Sequence, residues 1–277
     1  MIVTSHGKSI DFDENYFFKM TDSSAEIDNI VLLRDRLKTV GWLYIKNYFD
    51  KEEILDLREY YFSQFAENTI LKEGTTPRQG IFSGNNFSIP YGTKGHPAYD
   101  FVRSEKLKSF ANNEKLHTLS NQLLEKNTIQ LPRKVFRNLN RNAKTSAKAH
   151  SDAQWANGDV LTSWIVLGDC PIDVGGLVYL EKSHEMDLQT IKALFPEFLD
   201  SQWITDDLKA LSDKTKMRWG YIDYEAGDLM LHLIDNIHAS LDSNNDYMRL
   251  SIELRYIADD ADLDSRWTRD WEGGDGY

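Results

Sequence analysis

Cysteine is nearly absent from this sequence, because Cys170 is the only one among 277 residues. A single cysteine excludes an internal disulfide and any zinc cluster built on cysteine ligands. Cys170 ends the apolar run LTSWIVLGDC, so we expect it to pack in the core rather than act as a nucleophile.

Long apolar runs and positive charge are also scarce. No run approaches the roughly 18 residues that a membrane helix needs, and the opening segment MIVTSHGKSIDFDENY lacks the features of a secretion signal. We therefore expect a cytoplasmic protein with no membrane partner. Lysine and arginine number 32 against 44 acidic residues, which gives a net charge of −12. Such a surface repels phosphate backbones and excludes nucleic acid as the expected partner, although a locally basic pocket can still bind an anion.

Apolar side chains are plentiful enough for a large core. Hydrophobic residues make up 41% of the chain and aromatic residues 12%, and we expect residues 1–277 to form a single domain. The first part is predicted to be mainly helical, with one strand. The patterns are a helix in IDNIVLLRDRLKTV, a strand in GWLYIKNYF, a helix capped by Asp50 in KEEILDLREYYFSQF, and two short helices in HPAYDFVRSEKLKSFANNEKLHTLSNQLL.

Strand patterns dominate from Arg133 onward. The candidates are RKVFRNLN, VLTSWIVLGD, GLVYLEK, DLMLHLI and MRLSIELRYI, with a helical insertion in MDLQTIKALFPEFLDS. Many strands joined by turns, with helices outside, predict a mainly β fold with flanking helices. The expected architecture is a double-sheet jelly roll whose central cavity opens at one end.

A long irregular segment, EGTTPRQGIFSGNNFSIPYGTKG, separates the predicted helices. Such a segment is either a lid over a binding site or an ordinary surface loop. As a lid, the stretch Gln79–Tyr91 would cover the cavity, with Asn86 and Tyr91 facing inward.

His150 and Asp152 form a His-x-Asp step. On or beside a strand, side chains two residues apart point to the same face, so both can reach one metal ion. His238 in NIHAS and His232 in DLMLHLI are candidates for a third ligand, although a lone histidine in an apolar strand is more often a core residue. Two imidazoles and one carboxylate form the facial triad of non-haem iron oxygenases, and the same ligand types also suit zinc.

Arg249 follows His238 by an odd offset, across the turn LDSNND. This spacing predicts that Arg249 lies on the adjacent strand and faces the same cavity. Arginine can bind a carboxylate through two parallel hydrogen bonds. Ser240, two residues after His238, would add a hydroxyl donor on the same face. A bound diacid would explain why an arginine is buried there.

Three stretches resemble the phytanoyl-CoA dioxygenase family, in its bacterial small-molecule branch. They are AHSDAQWANGDVLTSWIVLGDCPIDVGGLVYLEKSH, GDLMLHLIDNIHASLDSNNDYMRLSIELRY and GWLYIKNYFDKEEILDLREYYF, and the terminal RWTRDWEGGDGY is similar to tails in the same group. The resemblance covers most of the chain. One departure is the turn Pro-Gly-Ser-His of many members, which is EKSH here. No feature for a coenzyme A thioester is evident, so phytanoyl-CoA is not the expected substrate.

The resemblance implies a cupin-like, double-stranded β-helix that uses iron(II), 2-oxoglutarate and dioxygen. It assigns the iron ligands to His150, Asp152 and His238, and so favours His238 over His232. Arg249 and Ser240 match the pair that binds the distal carboxylate of 2-oxoglutarate. The full set of implied co-substrate contacts is Arg249, Ser240, Trp164 as an aromatic wall, Thr162 and Asn138.

The expected activity is hydroxylation of an unactivated C–H bond in a small-molecule metabolite, with release of succinate and carbon dioxide. Candidate substrate contacts are Arg137, Gln154 and Trp155, and Arg137 would pair with an anionic group, so polar and anionic substrates are included. Two alternatives stay open: a non-catalytic jelly-roll binding protein, and a zinc hydrolase that uses two histidines and one aspartate.

Overall fold

Two β-sheets face each other across a cavity in the computed structural model, with helices outside the larger sheet. The structure describes residues 1–65, 69–85, 97–142, 146–154, 156–259, 261–263 and 265–270. The strands are β1 (Ile2–Ser5), β2 (Lys8–Asp11), β3 (Phe17–Lys19), β4 (Trp42–Ile45), β5 (Thr128–Gln130), β6 (Val135–Leu139), β7 (Ala156–Asn157), β8 (Val160–Val166), β9 (Leu177–Leu180), β10 (Trp219–Tyr221), β11 (Leu229–Leu233), β12 (His238–Ser240), β13 (Arg249–Ala258) and β14 (Asp262–Leu263).

The larger sheet has the strand order β4-β11-β8-β13-β5, and β6 also pairs with β13. The smaller sheet has the order β12-β9-β10-β3. The pair β1–β2 forms a short hairpin, and β7 pairs with the sequence-distant β14 in a second two-stranded ladder. The jelly roll predicted from the sequence is confirmed.

Seven helices surround the sheets in the part of the chain that is described. Helix α1 ends at Gly41, whose φ of 82° is the left-handed conformation that closes the last turn, and the Asp50 side chain accepts from the N–H of Glu53 to cap α2. The helices are α1 (Ile30–Val40), α2 (Lys51–Phe62), α3 (Pro97–Arg103), α4 (Glu105–Ala111), α5 (Glu114–Leu124), α6 (Leu188–Lys192) and α7 (Leu208–Thr215).

Side-chain alternation along β13 divides the core from the cavity. Leu250, Ile252 and Leu254 pack in the largest apolar cluster, together with residues of α1 to α5. Arg249 and Glu253 point the other way and line the cavity. Because strand side chains alternate between the two faces, one strand both closes the core and supplies polar groups to the site.

Most predicted elements are confirmed, and two expectations are wrong. The segment predicted to hold two short helices holds three, because Ser104 and Asn113 cap new helices at α4 and α5. The first part is not mainly helical at its start, since β1, β2 and β3 precede α1. Among the described residues, no helix is both long enough and apolar enough to cross a membrane.

Candidate metal centre and its cavity

An isolated backbone bridge between His150 and the first residue of β12 brings His150 and His238 together. The N–H of His150 donates to the carbonyl of His238 at 3.1 Å, and the N–H of His238 donates back at 2.9 Å. Asp152 begins a short 3-10 turn directly after His150. Ligating atoms of His150, Asp152 and His238 all lie within 4.8 Å of one another, and the three residues are buried.

Hydrogen bonds fix which nitrogen of each imidazole carries the proton. Nδ1 of His150 lies 2.7 Å from the carbonyl oxygen of Lys148, and Nδ1 of His238 lies 3.0 Å from that of Asn236. Because a carbonyl only accepts, each Nδ1 is the donor and each Nε2 carries a lone pair. Burial is the largest cause that lowers the pKa of His150 to about 3, which keeps this ring neutral.

The two oxygens of Asp152 have different surroundings. Oδ2 accepts from Nη2 of Arg255 at 3.0 Å and from Oγ1 of Thr162 at 3.3 Å. Oδ1 is buried, has no hydrogen-bond partner in the described part of the chain, and lies 3.9 Å from Nε2 of His150. Burial by itself would raise the pKa of Asp152, but the charge of Arg255 and the neighbouring histidines hold it well below its ordinary value.

These three side chains fit a divalent metal ion. Two neutral imidazole nitrogens and one carboxylate oxygen offer their lone pairs to one point, and the orphaned Oδ1 of Asp152 is an acceptor that only a cation or a donor would satisfy. Two histidines and one carboxylate are the ligand set of non-haem iron(II) oxygenases.

A row of polar side chains crosses the larger sheet behind Asp152. Thr162 on β8 is the cross-strand partner of His232 on β11 and of Arg255 on β13. Nε2 of His232 lies 3.8 Å from Oδ2 of Asp152, and its Nδ1 is 3.1 Å from the hydroxyl of Tyr179. His232 therefore stands behind the carboxylate and is outside the three-residue cluster.

The cluster opens into a cavity with about 660 Å³ of empty space, a volume that includes solvent at its open mouth. Nη1 of Arg249 donates to the carbonyl of Gly175 at 2.8 Å and to Oγ of Ser240 at 3.2 Å. Its guanidinium carbon lies 5.8 Å from the ring of Trp164. The lining residues are Arg133, Val135, Arg137, Ala147, His150, Asp152, Trp164, Leu177, His238, Ser240, Arg249, Glu253, Arg255 and Trp267.

The cavity brings together most of the residues singled out from the sequence. Arg249, Ser240 and Trp164 line the same cavity as the metal cluster, and Arg249 fits one carboxylate of 2-oxoglutarate because it is a buried guanidinium in a cavity wall. The expected strand arrangement was wrong in one respect. Strand β12 with Ser240 belongs to the smaller sheet, whereas β13 with Arg249 belongs to the larger one, so the pair meets across the cavity.

Two expected co-substrate contacts lie elsewhere. Thr162 donates to Asp152 and is not among the residues that line the cavity. Asn138 lies opposite Leu250, and its Nδ2 donates to the hydroxyl of Tyr61 on α2 at 3.2 Å. Asn138 therefore faces the helical layer, because side chains on β6 alternate and its neighbour Arg137 takes the cavity face.

Some expectations fall outside the described residues. The lid residues Asn86 and Tyr91 and the substrate candidate Trp155 are not described, nor is the side chain of Gln154. The stretch 79–85 is described, and Gly80 and Gln79 in it accept from the buried Arg58.

The sequence reasoning missed Arg255, Glu253, Arg133 and Trp267 in the cavity wall. One signal was available, because Arg255 follows Arg249 by six residues on one strand, and an even offset places both on the same face. The turn EKSH also has a visible role. Oγ of Ser183 accepts from the N–H of Ile237, next to His238, and Nε2 of His184 is 3.0 Å from the carbonyl oxygen of Lys38.

Solved structures with similar folds include two enzymes of nogalamycin biosynthesis. The epimerase SnoN, in complex with Fe3+, α-ketoglutarate and nogalamycin RO, has 17% identity and a TM-score of 0.60, over 85% of this chain and 86% of its own. The α-ketoglutarate-dependent carbocyclase SnoK from nogalamycin biosynthesis has 16% identity and a TM-score of 0.59, over 92% of this chain and 95% of its own. AviO1 from Streptomyces viridochromogenes Tue57 has 13% identity and a TM-score of 0.57, over 84% and 97%.

No curated protein matches the chain. The sequence profile of the phytanoyl-CoA dioxygenase family, however, matches residues 40–251, which is well over half of the chain and contains the whole metal cluster and Arg249. Iron(II), 2-oxoglutarate and dioxygen are the cofactors of this family. The chain therefore belongs to the phytanoyl-CoA dioxygenase family of iron(II)- and 2-oxoglutarate-dependent oxygenases.

Proposed function

We propose that this protein is a hydroxylase that inserts one oxygen atom of dioxygen into an unactivated C–H bond of a small-molecule metabolite. The balanced reaction converts substrate, 2-oxoglutarate and dioxygen into hydroxylated substrate, succinate and carbon dioxide. The observation that carries the proposal is the buried cluster of two Nε2 atoms and the orphaned Oδ1 of Asp152, in one cavity with Arg249.

His150, Asp152 and His238 would hold iron(II) in this proposal. When bound, iron(II) and 2-oxoglutarate supply the oxidising chemistry, and the protein supplies orientation and a site shielded from bulk water. The carbonyl groups of Lys148 and Asn236 keep both imidazoles in the tautomer that presents Nε2. Arg255 and Thr162 occupy Oδ2 of Asp152, which directs Oδ1 toward the histidines.

Arg249, Ser240 and Trp164 would hold 2-oxoglutarate. Arg249 already donates to Oγ of Ser240, so the serine hydroxyl keeps its own proton to donate to a carboxylate. A guanidinium and a hydroxyl together satisfy a carboxylate that is removed from water. Trp164 packs edge-on against Tyr224, with ring centroids 4.8 Å apart, which gives this wall a rigid apolar surface.

A metabolite screen scored by succinate release tests the function. The purified protein, iron(II) and 2-oxoglutarate are incubated with and without each candidate compound, with Asp152→Ala as the matched inactive variant. A true substrate should raise succinate release in the wild type alone. With isotope-labelled dioxygen, one labelled oxygen should enter the product and the other should enter succinate.

Product analysis separates hydroxylation from other outcomes and other functions. SnoN is an epimerase and SnoK is a carbocyclase. If succinate is released but the product carries no labelled oxygen, the reaction would be one of these types and not a hydroxylation. Turnover with zinc in the absence of 2-oxoglutarate would indicate a hydrolase. Failure to convert 2-oxoglutarate to succinate with any compound, despite iron binding, would indicate a non-catalytic binding protein.

A further inference from the structure

The cavity concentrates positive charge in a chain whose net charge is −12. Among the described residues, four arginines and two carboxylates line it, the carboxylates being those of Asp152 and Glu253. Bound iron(II) would add two positive charges and 2-oxoglutarate two negative ones, so loading the site would leave the balance among these lining residues unchanged. The arginines are Arg133, Arg137, Arg249 and Arg255.

Arg255, in the cavity wall, has N–H groups that donate to no acceptor among the described residues. Its Nη2 serves both Asp152 at 3.0 Å and Glu253 at 2.8 Å. Its Nε and Nη1 are buried, since the residue is only 6% exposed, and they meet no acceptor among the described residues. Buried donors without an acceptor are costly, so these two N–H groups favour an incoming oxyanion.

An indole ring holds two of the guanidinium groups near each other. The guanidinium carbon of Arg255 lies 4.4 Å from the ring centroid of Trp267, and that of Arg133 lies 5.8 Å from the same centroid. Contact with an aromatic ring restricts the orientation of a guanidinium group. Trp267 thus sets the positions of two cationic side chains at one end of the cavity.

Arg137 lies between this end and the wall that carries Arg249. It is the cross-strand partner of Ser251, and Arg249 pairs with Leu139 on the same strand. Arg137 also lines the same cavity as His150 and Asp152 of the metal cluster. The cavity therefore has three cationic side chains besides Arg249, which is assigned to 2-oxoglutarate.

We propose that Arg133, Arg137 and Arg255 form a subsite for the carboxylate or phosphate group of the substrate, which is accordingly a small organic anion. The inference rests on the proposed function, because it names the substrate class of the same cavity. Guanidinium groups suit both oxyanions, since their planar forks bind carboxylate and phosphate alike. An anionic group held there would place the adjoining carbon atoms of the substrate beside His150 and Asp152.

Calorimetric titration of anions into the loaded protein tests this subsite. The wild type is saturated with Mn(II) and 2-oxoglutarate without oxygen, so that Arg249 is occupied and no turnover occurs. Inorganic phosphate and acetate are titrated separately. The anion that binds more tightly shows whether the subsite prefers a phosphate or a carboxylate. We expect one anion per chain, bound at least about tenfold more weakly in Arg137→Gln, by loss of one charged hydrogen-bond partner.

Arg218→Gln is the matched control, because Arg218 pairs with Glu181 outside the cavity and its side chain is 40% exposed. This variant should bind the anion as the wild type does. Arg133→Gln repeats the test if Arg137→Gln does not fold. Equal anion binding in all variants, or none in the wild type, would overturn the subsite.

Weaker 2-oxoglutarate binding in Arg137→Gln, with no second anion in the wild type, would also overturn it, because the arginine would then serve the co-substrate. The outcome for the proposed function is read separately. Succinate release by the wild type with an uncharged metabolite would support the oxygenase function and contradict an anionic substrate. Anion binding without succinate release from any compound would support the anion subsite and contradict the oxygenase function.

Discussion

Arg255 donates from Nη2 to Oδ2 of Asp152 at 3.0 Å, while Oδ1 of the same carboxylate faces Nε2 of His150 at 3.9 Å. Arg255 therefore engages one oxygen of the carboxylate and leaves the other, Oδ1, available for a metal ion. Thr162 reinforces this division from the neighbouring strand. Outer groups of this kind orient a ligand and tune its affinity for the metal.

Arg255→Met should weaken metal binding by about 10- to 100-fold, the range found for partners of metal ligands. The carboxylate loses its charged partner and is free to rotate, so Oδ1 is no longer directed at the cluster. Mn(II) titration of the protein without 2-oxoglutarate measures this. Arg249→Met is the control, since it removes a buried arginine from the same strand without touching Asp152. Equal losses in both variants would point to general disruption of β13.

Arg249→Ala should raise the KM for 2-oxoglutarate far more than Arg249→Lys. Loss of a bidentate partner from a buried carboxylate costs about 2–4 kcal/mol, and lysine restores the charge but not the fork. Ser240→Ala should have a smaller effect, about 1 kcal/mol, because it removes one neutral donor. Succinate release at increasing 2-oxoglutarate concentration gives all three values. An unchanged KM in Arg249→Ala would mean that the carboxylate is bound elsewhere.

His150→Ala, Asp152→Ala and His238→Ala should each abolish stoichiometric iron(II) binding, whereas His232→Ala should still bind one iron per chain. His232 bonds to Tyr179 and reaches only the far oxygen of Asp152, so its loss leaves the three candidate ligands in place. Equilibrium dialysis against iron(II) without oxygen distinguishes the variants. Normal binding in His238→Ala together with loss in His232→Ala would reverse the assignment of the third ligand.

The sequence predicts the strands well because short apolar runs mark β8 and β11, and apolar alternation marks β13. Residues 160–166, 229–233 and 249–258 form strands where the patterns placed them. The contacts around Asp152 could not be found in the same way. They depend on the register that sets His232 and Arg255 opposite Thr162, and register arises from pairing between segments about 70 to 90 residues apart.

Asn138 illustrates the same limit from the other side. Its neighbour Arg137 faces the cavity, and a shift of one residue along β6 reverses the face of a side chain. A short strand with a mixed pattern, VFRNL, does not fix that parity by hydrophobicity alone. The metal step was easier to predict, because His-x-Asp has both residues in one short segment.

Lys182→Gly should stabilise the protein by about 0.5–1 kcal/mol. Lys182 has φ 54° and ψ 16°, a left-handed conformation that costs a side chain about 1–2 kcal/mol, partly offset by the greater freedom of glycine in the unfolded chain. Lys182→Ala is the control, because it shortens the side chain but keeps the strained Cβ. Urea unfolding compares the three proteins. Equal stabilisation by alanine would assign the effect to the lysine charge instead.

The stability of the metal-free protein should fall as the pH drops from about 7 to about 5.5. Burial is the main cause that lowers the pKa of His150 to about 3 and of His232 to about 4, against 6.5 for an ordinary histidine. Below pH 6.5 the two histidines are protonated in the unfolded chain but stay neutral in the folded chain, so a lower pH favours unfolding. Asp152 does not contribute in this window, because its pKa is lowered from 3.8, and the stability it adds is lost only at still lower pH.

Because the unfolded histidines are only half protonated at pH 6.5, the expected loss between pH 7 and pH 5.5 is about 1 kcal/mol for each histidine, so about 2–3 kcal/mol for the pair. Urea unfolding in the presence of a chelator, at both pH values, measures it. His232→Gln should remove about half of the pH dependence, because glutamine takes up no proton in either state. The same pH dependence in His232→Gln as in the wild type would mean that His232 is protonated in the folded protein. The charged imidazole would then donate a hydrogen bond to Asp152, and His232 would not be neutral.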